Sequence, residues 1–333
     1  MTDNGILLAA VISLAIVLAT GPLFIPKLRE MKFGQSIREE GPKSHQAKSG
    51  TPTMGGIMIV LAITVAVVAA SIITLPKIPA EVFLALFVML GHFVIGFVDD
   101  YIKVVLKRNL GLRAWQKLLG QMIMAGVVTY ISTEVIGEQT TLWIPVVDSY
   151  VDIGVAYYVL SFLVLVGTTN AVNLTDGLDG LAAGTVMIAS FSYILVCLHH
   201  NQYPLAIFSA ATAAACMGFL RFNSHPAEVF MGDTGSLALG GALAALAILT
   251  KTELLLVIIG GVFVMEALSV IIQVISFKST GKRVFLMSPI HHHFELKGWS
   301  ESKVVLAFWS LGMVLSVIAI HILMLVKPYG WLE

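Results

Sequence analysis

Residues 82–103 read VFLALFVMLGHFVIGFVDDYIK, and this stretch decides how the rest of the chain is interpreted. Its apolar part runs from Val82 to Val98, close to the length of about 20 residues with which an α-helix crosses a bilayer. The run stops at two adjacent carboxylates, Asp99 and Asp100, and Lys103 follows within one helical turn. The pattern predicts a membrane helix that ends in a charged site where the bilayer meets water.

The composition of the whole chain is that of a membrane protein. Hydrophobic residues make up 57% of the 333 residues and charged residues only 12%, whereas a soluble domain carries about 25% charged residues. We therefore predict an all-α polytopic membrane protein, with residues 1–333 forming one integral membrane domain. Cys197 and Cys216 both fall inside apolar runs, which predicts reduced core residues rather than a disulfide or a metal site.

Ten apolar runs have about the length needed to cross a bilayer. They cover residues 5–26, 53–75, 80–98, 114–136, 153–172, 179–199, 204–221, 235–250, 254–276 and 303–326, of which the seventh and eighth are short. The first run is interpreted as a retained helix and not as a signal peptide. The residues before it include Asp3 and no basic residue, and no small-residue cleavage site follows it. An even number of spans predicts that both termini lie on the same side of the membrane.

The basic residues are strongly segregated between the loops of the two faces. One face holds only Lys77, Lys251 and Lys327 of the 20 Lys and Arg residues. All the others lie in or beside the loops of the opposite face, within residues 27–52, 99–117, 221 and 278–303. The positive-inside rule therefore predicts that these basic loops face the cytoplasm and that both termini face outward. The polar clusters described next then all fall on the cytoplasmic face.

Asp99 and Asp100 stand where carboxylates are unfavourable, at the C-terminal end of a helix. The helix dipole disfavours each acid there by roughly 0.3–1 kcal/mol, and two adjacent acids also repel each other. Lys103 can pair with Asp99 across one turn, but a single lysine does not satisfy both acids. A hard divalent cation such as Mg²⁺, bound by one or two carboxylates together with substrate phosphates, suits the pair better.

A second cluster is formed by residues 170–180, NAVNLTDGLDG, at the end of the fifth run. Its polar residues recur at every third position, which places them roughly on one face of a helix. An ordinary turn needs one or two polar residues and not four in register. We therefore predict site residues at Asn170, Asn173, Asp176 and Asp179.

A third cluster, FMGDTGS at 230–236, precedes the eighth run. Asp233 lies between glycines where a helix begins, and the backbone N–H groups of a helix N-terminus favour anions, so the segment predicts a phosphate and metal site. The alternative is that Asp233 or Thr234 only caps the helix. A cap explains one residue of this segment and not the rest.

Two lysines differ from the other basic residues, which are interpreted as topology determinants beside anionic lipid headgroups. Lys48 precedes SGTPTMGG, a flexible entry into the second helix, and Lys117 lies just inside the fourth. Glycines and small hydroxyl residues allow close approach to a ligand, and lysine is a common partner of phosphate. Both lysines are therefore candidate phosphate-binding residues.

The last cluster is SPIHHHFE at 288–295. Three consecutive histidines do not share a helix face, and no Cys pair or second His motif completes a zinc set. We therefore expect hydrogen bonds to phosphate or proton transfer from His291, His292 and His293. In the preceding apolar run, Gln273 is near enough to the cytoplasmic end to reach the site, whereas Glu266 lies mid-span and receives no functional interpretation.

Carboxylates for a divalent cation, basic residues for phosphate and glycine-rich approaches are the components of a phosphoryl-transfer site. At the membrane surface such a site suits a lipid phosphate and a soluble nucleotide. The motifs FVDDYIK, NAVNLTDGLDG, FMGDTGS and SPIHHHFE resemble the signatures of the bacterial phospho-N-acetylmuramoyl-pentapeptide transferases, a branch of the polyprenyl-phosphate N-acetylhexosamine-1-phosphate transferases. The resemblance spans essentially the whole chain, and the histidine run resembles the muramoyl branch.

The resemblance implies an enzyme that transfers phospho-MurNAc-pentapeptide from UDP-MurNAc-pentapeptide to undecaprenyl phosphate, giving lipid I and UMP with Mg²⁺. It implies that Asp233 is the metal ligand and that Asp99 and Asp100 act as base or nucleophile, with direct attack by the lipid phosphate favoured over an aspartyl intermediate. The nucleotide pocket would contain Asn173, Asp176, Phe230 and Gln273. The remaining predicted substrate-binding residues are Lys48, Lys117, Asn170, Asp179, His291, His292 and His293.

The resemblance also implies where the protein lies and with what it associates. We expect a multi-pass protein of the bacterial cytoplasmic membrane that works as a homodimer, with the lipid bilayer but no nucleic acid as a partner. Two other interpretations remain open. A related transferase would use UDP-GlcNAc as the donor. A cation-coupled transporter would place its acids near the bilayer midplane and contain internal repeats, whereas these acids lie at helix ends and the sequence shows no repeat.

Overall fold

The computed structural model describes residues 2–31, 48, 50–106, 111–137 and 139–325. Some of the basic residues that predicted the topology lie outside these described residues, namely Lys32, Arg38, Lys43, Lys107, Arg108 and Lys327. All of the predicted site residues lie within them, so the structure places each one.

The described residues form twelve α-helices and one small sheet. The helices are α1 (Thr2–Glu30), α2 (Gly56–Thr74), α3 (Ala80–Val104), α4 (Ala114–Tyr130), α5 (Ala156–Thr175), α6 (Leu181–His199), α7 (Tyr203–Asn223), α8 (Gly232–Leu249), α9 (Glu253–Ile259), α10 (Gly261–Thr280), α11 (Ile290–Leu296) and α12 (Glu301–Met324). Within this part of the chain, ten helices are long and apolar enough to cross a membrane, all but α9 and α11. The predicted all-α polytopic class is therefore confirmed.

Three features of the fold were not predicted. The ninth apolar run is broken at Gly260 into α9 and α10, and a π-helical turn, Ile131–Ile136, continues α4. The link that follows this turn contains two antiparallel strands, β1 (Thr141–Ile144) and β2 (Ser149–Asp152), which pair Thr141 with Asp152. Neither four-residue strand, TLWI or SYVD, alternates apolar and polar residues, so the usual sequence pattern of a half-buried strand is absent.

Helix α8 lies at the centre of the bundle and is buried along nearly its whole length. Its sequence is rich in glycine and alanine, and it packs against α3, α5 and α2. Small residues allow membrane helices to approach closely, which increases van der Waals contact where lipid gives no hydrophobic driving force. One close approach to α3 is at Gly96, where a Cβ atom would overlap the backbone oxygen of Asp233. This contact brings the acidic end of α3 against the start of α8.

The outer surface of the bundle is apolar, as a lipid-facing surface must be. Large side chains such as Leu7, Ile123 and Val317 are exposed on the outer helices α1, α4 and α12. Both cysteines are free and fully buried, which confirms the interpretation of Cys197 and Cys216 as reduced core residues.

We predict that the close contact at Gly96 is sensitive to a single methyl group. Gly96→Ala should lower the thermal unfolding midpoint in detergent, because overpacking of this kind costs about 1–3 kcal/mol. Gly126→Ala is the matched control in α4, since nothing lies within 4 Å of a Cβ built at that glycine. The control should leave the midpoint unchanged or raise it, because alanine is the better helix former. Equal shifts in the two variants would contradict the packing argument.

Candidate active site

The predicted polar clusters meet at one end of the bundle. The C-terminal ends of α3 and α5 lie there beside the N-terminal ends of α4, α8 and α12. Ion pairs join side chains of these five helices, or of the links next to them. The segment before α2 joins them through its backbone, because Phe230 N–H donates to Pro52 O at 2.8 Å and Gly55 N–H donates to Phe230 O at 2.9 Å. The side chain of Phe230 is partly exposed at this junction.

Two aspartates and two lysines alternate at the centre of this site. The Nζ atom of Lys103 lies 2.5 Å from Asp99 Oδ2 and 3.0 Å from Asp233 Oδ2. The Nζ atom of Lys117 lies 3.1 Å from Asp99 Oδ1 and 2.5 Å from Asp233 Oδ2. The side chain of Asp99 is fully buried, whereas those of the lysines are 33% and 21% exposed. We call these four residues the aspartate–lysine cluster. The sequence predicted Lys117 here, but it treated Lys103 only as a pairing partner of Asp99.

The second aspartate of the pair is bonded to the beginning of α8. Asp100 Oδ2 accepts hydrogen bonds from Thr234 N–H at 2.8 Å and from Thr234 Oγ1 at 2.6 Å. Helix α8 has no side-chain cap of its own, so Asp100 of α3 satisfies one of its free N–H groups. The capping alternative for Asp233 is therefore wrong. Its side chain instead faces the cluster and accepts a hydrogen bond from Asn173 Nδ2 at 2.8 Å.

The three carboxylates are close enough together to bind one cation. Asp99, Asp100 and Asp233 each offer one oxygen, and these oxygens lie within 4.8 Å of one another. An all-oxygen set of carboxylates, open on one side to phosphate, is what Mg²⁺ prefers. The donor set therefore fits the predicted ion. The two lysines beside it supply further positive charge for the same acids.

A second charged cluster lies next to the first. The Nζ atom of Lys48 lies 2.7 Å from Asp179 Oδ1 and 2.5 Å from Glu301 Oε1. The same Glu301 oxygen accepts Asp179 N–H at 2.7 Å. His225 Nδ1 lies 3.0 Å from Asp179 Oδ2. Sequence reasoning missed Glu301 and His225. An acid at the start of the last apolar run was a usable signal for Glu301, whereas His225 had none.

Asp176 lies between the two clusters, in the link after α5. Burial raises the pKa of Asp176 to about 8, and the negative charges of Asp233, Asp100 and Asp179 contribute in the same direction. At pH 7 this side chain is therefore mostly a neutral carboxylic acid that can donate a hydrogen bond. The sequence predicted Asp176 as a site residue but gave no indication of its protonation state.

Two predicted site residues make their contacts elsewhere. The amide of Asn170 donates to Gln121 Oε1 at 2.9 Å and so joins α5 to α4. Gln273 holds the loop after α10, because its Nε2 donates to Phe285 O at 2.9 Å and its Oε1 accepts Phe285 N–H at 2.9 Å. The structure does not bring either residue to the aspartate–lysine cluster, and their roles in substrate binding stay predictions.

The three consecutive histidines have different surroundings, although the rings of His291 and His292 lie against each other with centroids 4.1 Å apart. His291 is fully buried, whereas the other two are partly exposed. His292 Nδ1 lies 2.8 Å from Glu295 Oε2. His293 Nδ1 accepts Leu286 N–H at 3.1 Å, which fastens the loop before α11. Among the described residues, none of the three belongs to a group of three or more possible metal ligands.

Comparisons with known proteins find similar sequences along nearly the whole chain. A family model described as glycosyl transferase family 4 matches residues 82–251, and a phospho-N-acetylmuramoyl-pentapeptide-transferase signature matches residues 48–60. The phospho-N-acetylmuramoyl-pentapeptide-transferase of Bacillus pumilus is 57% identical over 322 residues, which is 97% of this chain and 99% of that protein. Those of Bacillus subtilis and Bacillus cytotoxicus are 56% and 58% identical over the same shares of each chain.

The raised pKa of Asp176 predicts a pH dependence of stability. The folded state holds this proton more tightly than the unfolded chain, whose pKa is near the ordinary 3.8. Stability should therefore fall as the pH rises from about 4 to 8 and level off above the folded-state pKa. Asp176→Asn should flatten the decline in thermal unfolding midpoint between about pH 5 and 8.

Asp152→Asn is the matched control for this titration. Hydrogen bonds from Thr140 and from the Gly154 N–H lower the pKa of the exposed Asp152 carboxyl, so it stays ionised over the whole range tested. The control should therefore keep the wild-type slope. An Asp176→Asn variant with that same slope would contradict the assignment of the raised pKa.

Proposed function

The chain belongs to the phospho-N-acetylmuramoyl-pentapeptide transferase family, and on that premise we propose that it transfers phospho-MurNAc-pentapeptide from UDP-MurNAc-pentapeptide to undecaprenyl phosphate. The products are lipid I and UMP, in the first membrane step of peptidoglycan synthesis. One observation supports this proposal most directly: the aspartate–lysine cluster, with buried Asp99 and partly exposed lysines, lies at the ends of membrane-length helices. At that depth a lipid phosphate and a soluble nucleotide can meet.

The reaction that fits this site is a direct displacement at phosphorus. An oxygen of the lipid phosphate forms a bond to the β-phosphorus of the donor, and the bond from that phosphorus to the bridging oxygen breaks. UMP leaves with the α-phosphate. Asp99 Oδ1 accepts a hydrogen bond from Leu112 N–H and forms an ion pair with Lys117. Asp99 Oδ2 forms an ion pair with Lys103. With both oxygens in such contacts, this carboxylate is a poor nucleophile. A lipid phosphate is largely ionised near pH 7 and needs no strong base.

Asp233 is the proposed Mg²⁺ ligand, with Asp99 and Asp100 within reach of the same ion. Bound Mg²⁺ would neutralise charge on the oxygens around the transferred phosphorus. Lys103 and Lys117 already contact two of these acids, and each is partly exposed on a flexible stem. Their ammonium groups can therefore turn to pyrophosphate oxygens when the donor binds, which keeps the site near electrical balance.

The donor is proposed to lie across the second charged cluster. Glu301 and Asp179 hold Lys48 in place, so its ammonium group is fixed beside the link that carries Asp176. The neutral acid of Asp176 can donate a hydrogen bond to the donor. Phe230 is partly exposed at the same end of the bundle and offers a ring for stacking with uracil.

We propose the location, the topology and the oligomeric state of the protein from the same family membership. The ten membrane-length helices make a multi-pass membrane protein, and we infer the bacterial cytoplasmic membrane as its location. The segregated basic loops support a cytoplasmic site and outward termini. A single integral membrane domain and a homodimer complete the proposal.

UMP release by the purified protein tests the function. The assay contains undecaprenyl phosphate and UDP-MurNAc-pentapeptide, with and without Mg²⁺, and UDP-GlcNAc replaces the donor in a parallel reaction. We expect Mg²⁺-dependent UMP from the muramoyl donor alone. Release from UDP-GlcNAc would change the donor assignment. Release from neither donor by folded protein would reject the transferase and leave the cation-coupled transporter.

Asp233→Ala should abolish this Mg²⁺-dependent turnover, because it removes the proposed metal ligand and the acid that both lysines share. The thermal unfolding midpoint of the variant shows whether it is folded. Turnover near the wild-type rate in a folded variant would contradict the metal role of Asp233.

Glu301→Gln should raise KM for the donor about tenfold or more, since hydrogen bonds to charged groups contribute about 1.5–3 kcal/mol and Lys48 loses one of its two carboxylate partners. Glu228→Gln is the matched control, because it breaks an exposed ion pair with Arg221 and such pairs contribute little. A KM that is equal in the two variants would contradict the role of Glu301.

A further inference from the structure

His225 is a histidine to which the proposed function gives no role. It lies in the link between α7 and α8, outside the membrane-length helices, and its side chain is 45% exposed. The Nδ1 atom of His225 lies 3.0 Å from Asp179 Oδ2 and 3.3 Å from Glu301 Oε2. An ionised carboxylate can only accept a hydrogen bond, so Nδ1 carries a proton in these contacts. The imidazole therefore forms the exposed side of the second charged cluster.

The two acids of this cluster are held between two basic side chains. Lys48 contacts one oxygen of each acid, Asp179 Oδ1 and Glu301 Oε1. His225 contacts the other oxygen of each, Asp179 Oδ2 and Glu301 Oε2. The last torsion of a carboxylate side chain is only weakly restricted on its own. The paired contacts therefore fix which oxygen of each acid faces Lys48.

The backbone around His225 is held by other groups. The side-chain oxygen of Asn223, at the end of α7, accepts Gly180 N–H at 3.1 Å and so fastens this region to the start of α6. Ala227 N–H donates to Asp179 Oδ2 at 3.1 Å. The link between α7 and α8 is therefore tied to the site without the imidazole. What the imidazole adds is an orientation of the two acids.

Lys48 is the basic residue of this cluster over which the donor is proposed to lie. Its ammonium group ends a flexible four-carbon stem, so the acids that hold it decide where it lies. We propose that His225 is a positioning residue for Lys48, because it fixes Asp179 and Glu301 from the exposed side. Lys48 is thereby preorganised for the pyrophosphate of the nucleoside-diphosphate donor, which lowers the ordering cost of binding. This inference rests on the proposed function, which supplies that donor.

The first test measures kcat and KM for UDP-MurNAc-pentapeptide by UMP release from the full chain. His225→Leu removes both polar contacts of the imidazole and leaves an apolar side chain of similar size. It should raise KM about tenfold, the effect expected when a hydrogen bond to a charged group is lost. The value of kcat should stay near that of the wild type, because the aspartate–lysine cluster keeps all of its contacts.

Rescue by a conservative variant separates positioning from a structural role. His225→Asn retains an N–H donor close to the position of Nδ1 and should recover most of the donor affinity. A structural role predicts instead that kcat and the thermal unfolding midpoint fall together with the affinity. An Asn variant that binds the donor no better than the Leu variant would contradict the proposal. His225→Ala adds no apolar surface and serves as the second variant if His225→Leu does not fold.

A double-mutant cycle shows whether the effect passes through Lys48. In a Lys48→Met background, His225→Leu should cause no further loss of kcat/KM, because the ammonium group that the imidazole positions is absent. This ratio is measured at low donor concentration, so weak binding does not prevent the measurement. Losses that multiply in the double variant would overturn the positioning role.

Arg221→Gln is the matched control near the end of α7. Arg221 pairs with Glu228 at 3.0 Å, both side chains are exposed, and such pairs contribute little. The control should keep the wild-type KM. A wild-type KM in folded His225→Leu would overturn the positioning role alone. Wild-type protein that releases no UMP would overturn the proposed function and, with it, this inference.

Discussion

The structure depends on the compensation of buried charge where the apolar helices end. Asp99 and Asp233 come from different helices and share two ammonium groups, those of Lys103 and Lys117. None of these charges is stable alone at the edge of a bilayer, and each is satisfied only when α3, α4 and α8 end at the same place. The close contact of α3 with α8 at Gly96 makes this convergence possible. Folding of the membrane bundle and assembly of the site are therefore one process.

The second charged cluster compensates charge in the same way, and it joins residues that are far apart in the sequence. Lys48 precedes α2 and Glu301 begins α12, yet their side chains meet across 253 residues of sequence. Asp179 lies between them in the link after α5. One lysine thus ties the last membrane helix to the centre of the site. The proposed donor would lie on a surface whose charges are already fixed by the fold.

Acidic groups in this site occupy distinct electrostatic environments. Asp233 and Asp99 are surrounded by lysines, and Asp100 accepts two hydrogen bonds from Thr234. Asp176 receives no comparable compensation, and its pKa is raised to about 8. Sequence spacing placed all of these acids in the site but did not distinguish among them. Their protonation and their roles depend on which donors lie nearby, and that is a property of the tertiary structure.

The sequence by itself determined the class of fold, the approximate limits of all the membrane helices except the ninth, and the end of the bundle that carries the acids. These features are local, because apolar length and the residues at each end of a run are visible in one segment. Only the tertiary structure decided which polar residues meet. Gln273 fastens a loop, and the mid-span Glu266 pairs with His291. The partner of a buried polar group depends on how helices rotate and pack against one another, and no local pattern encodes that arrangement.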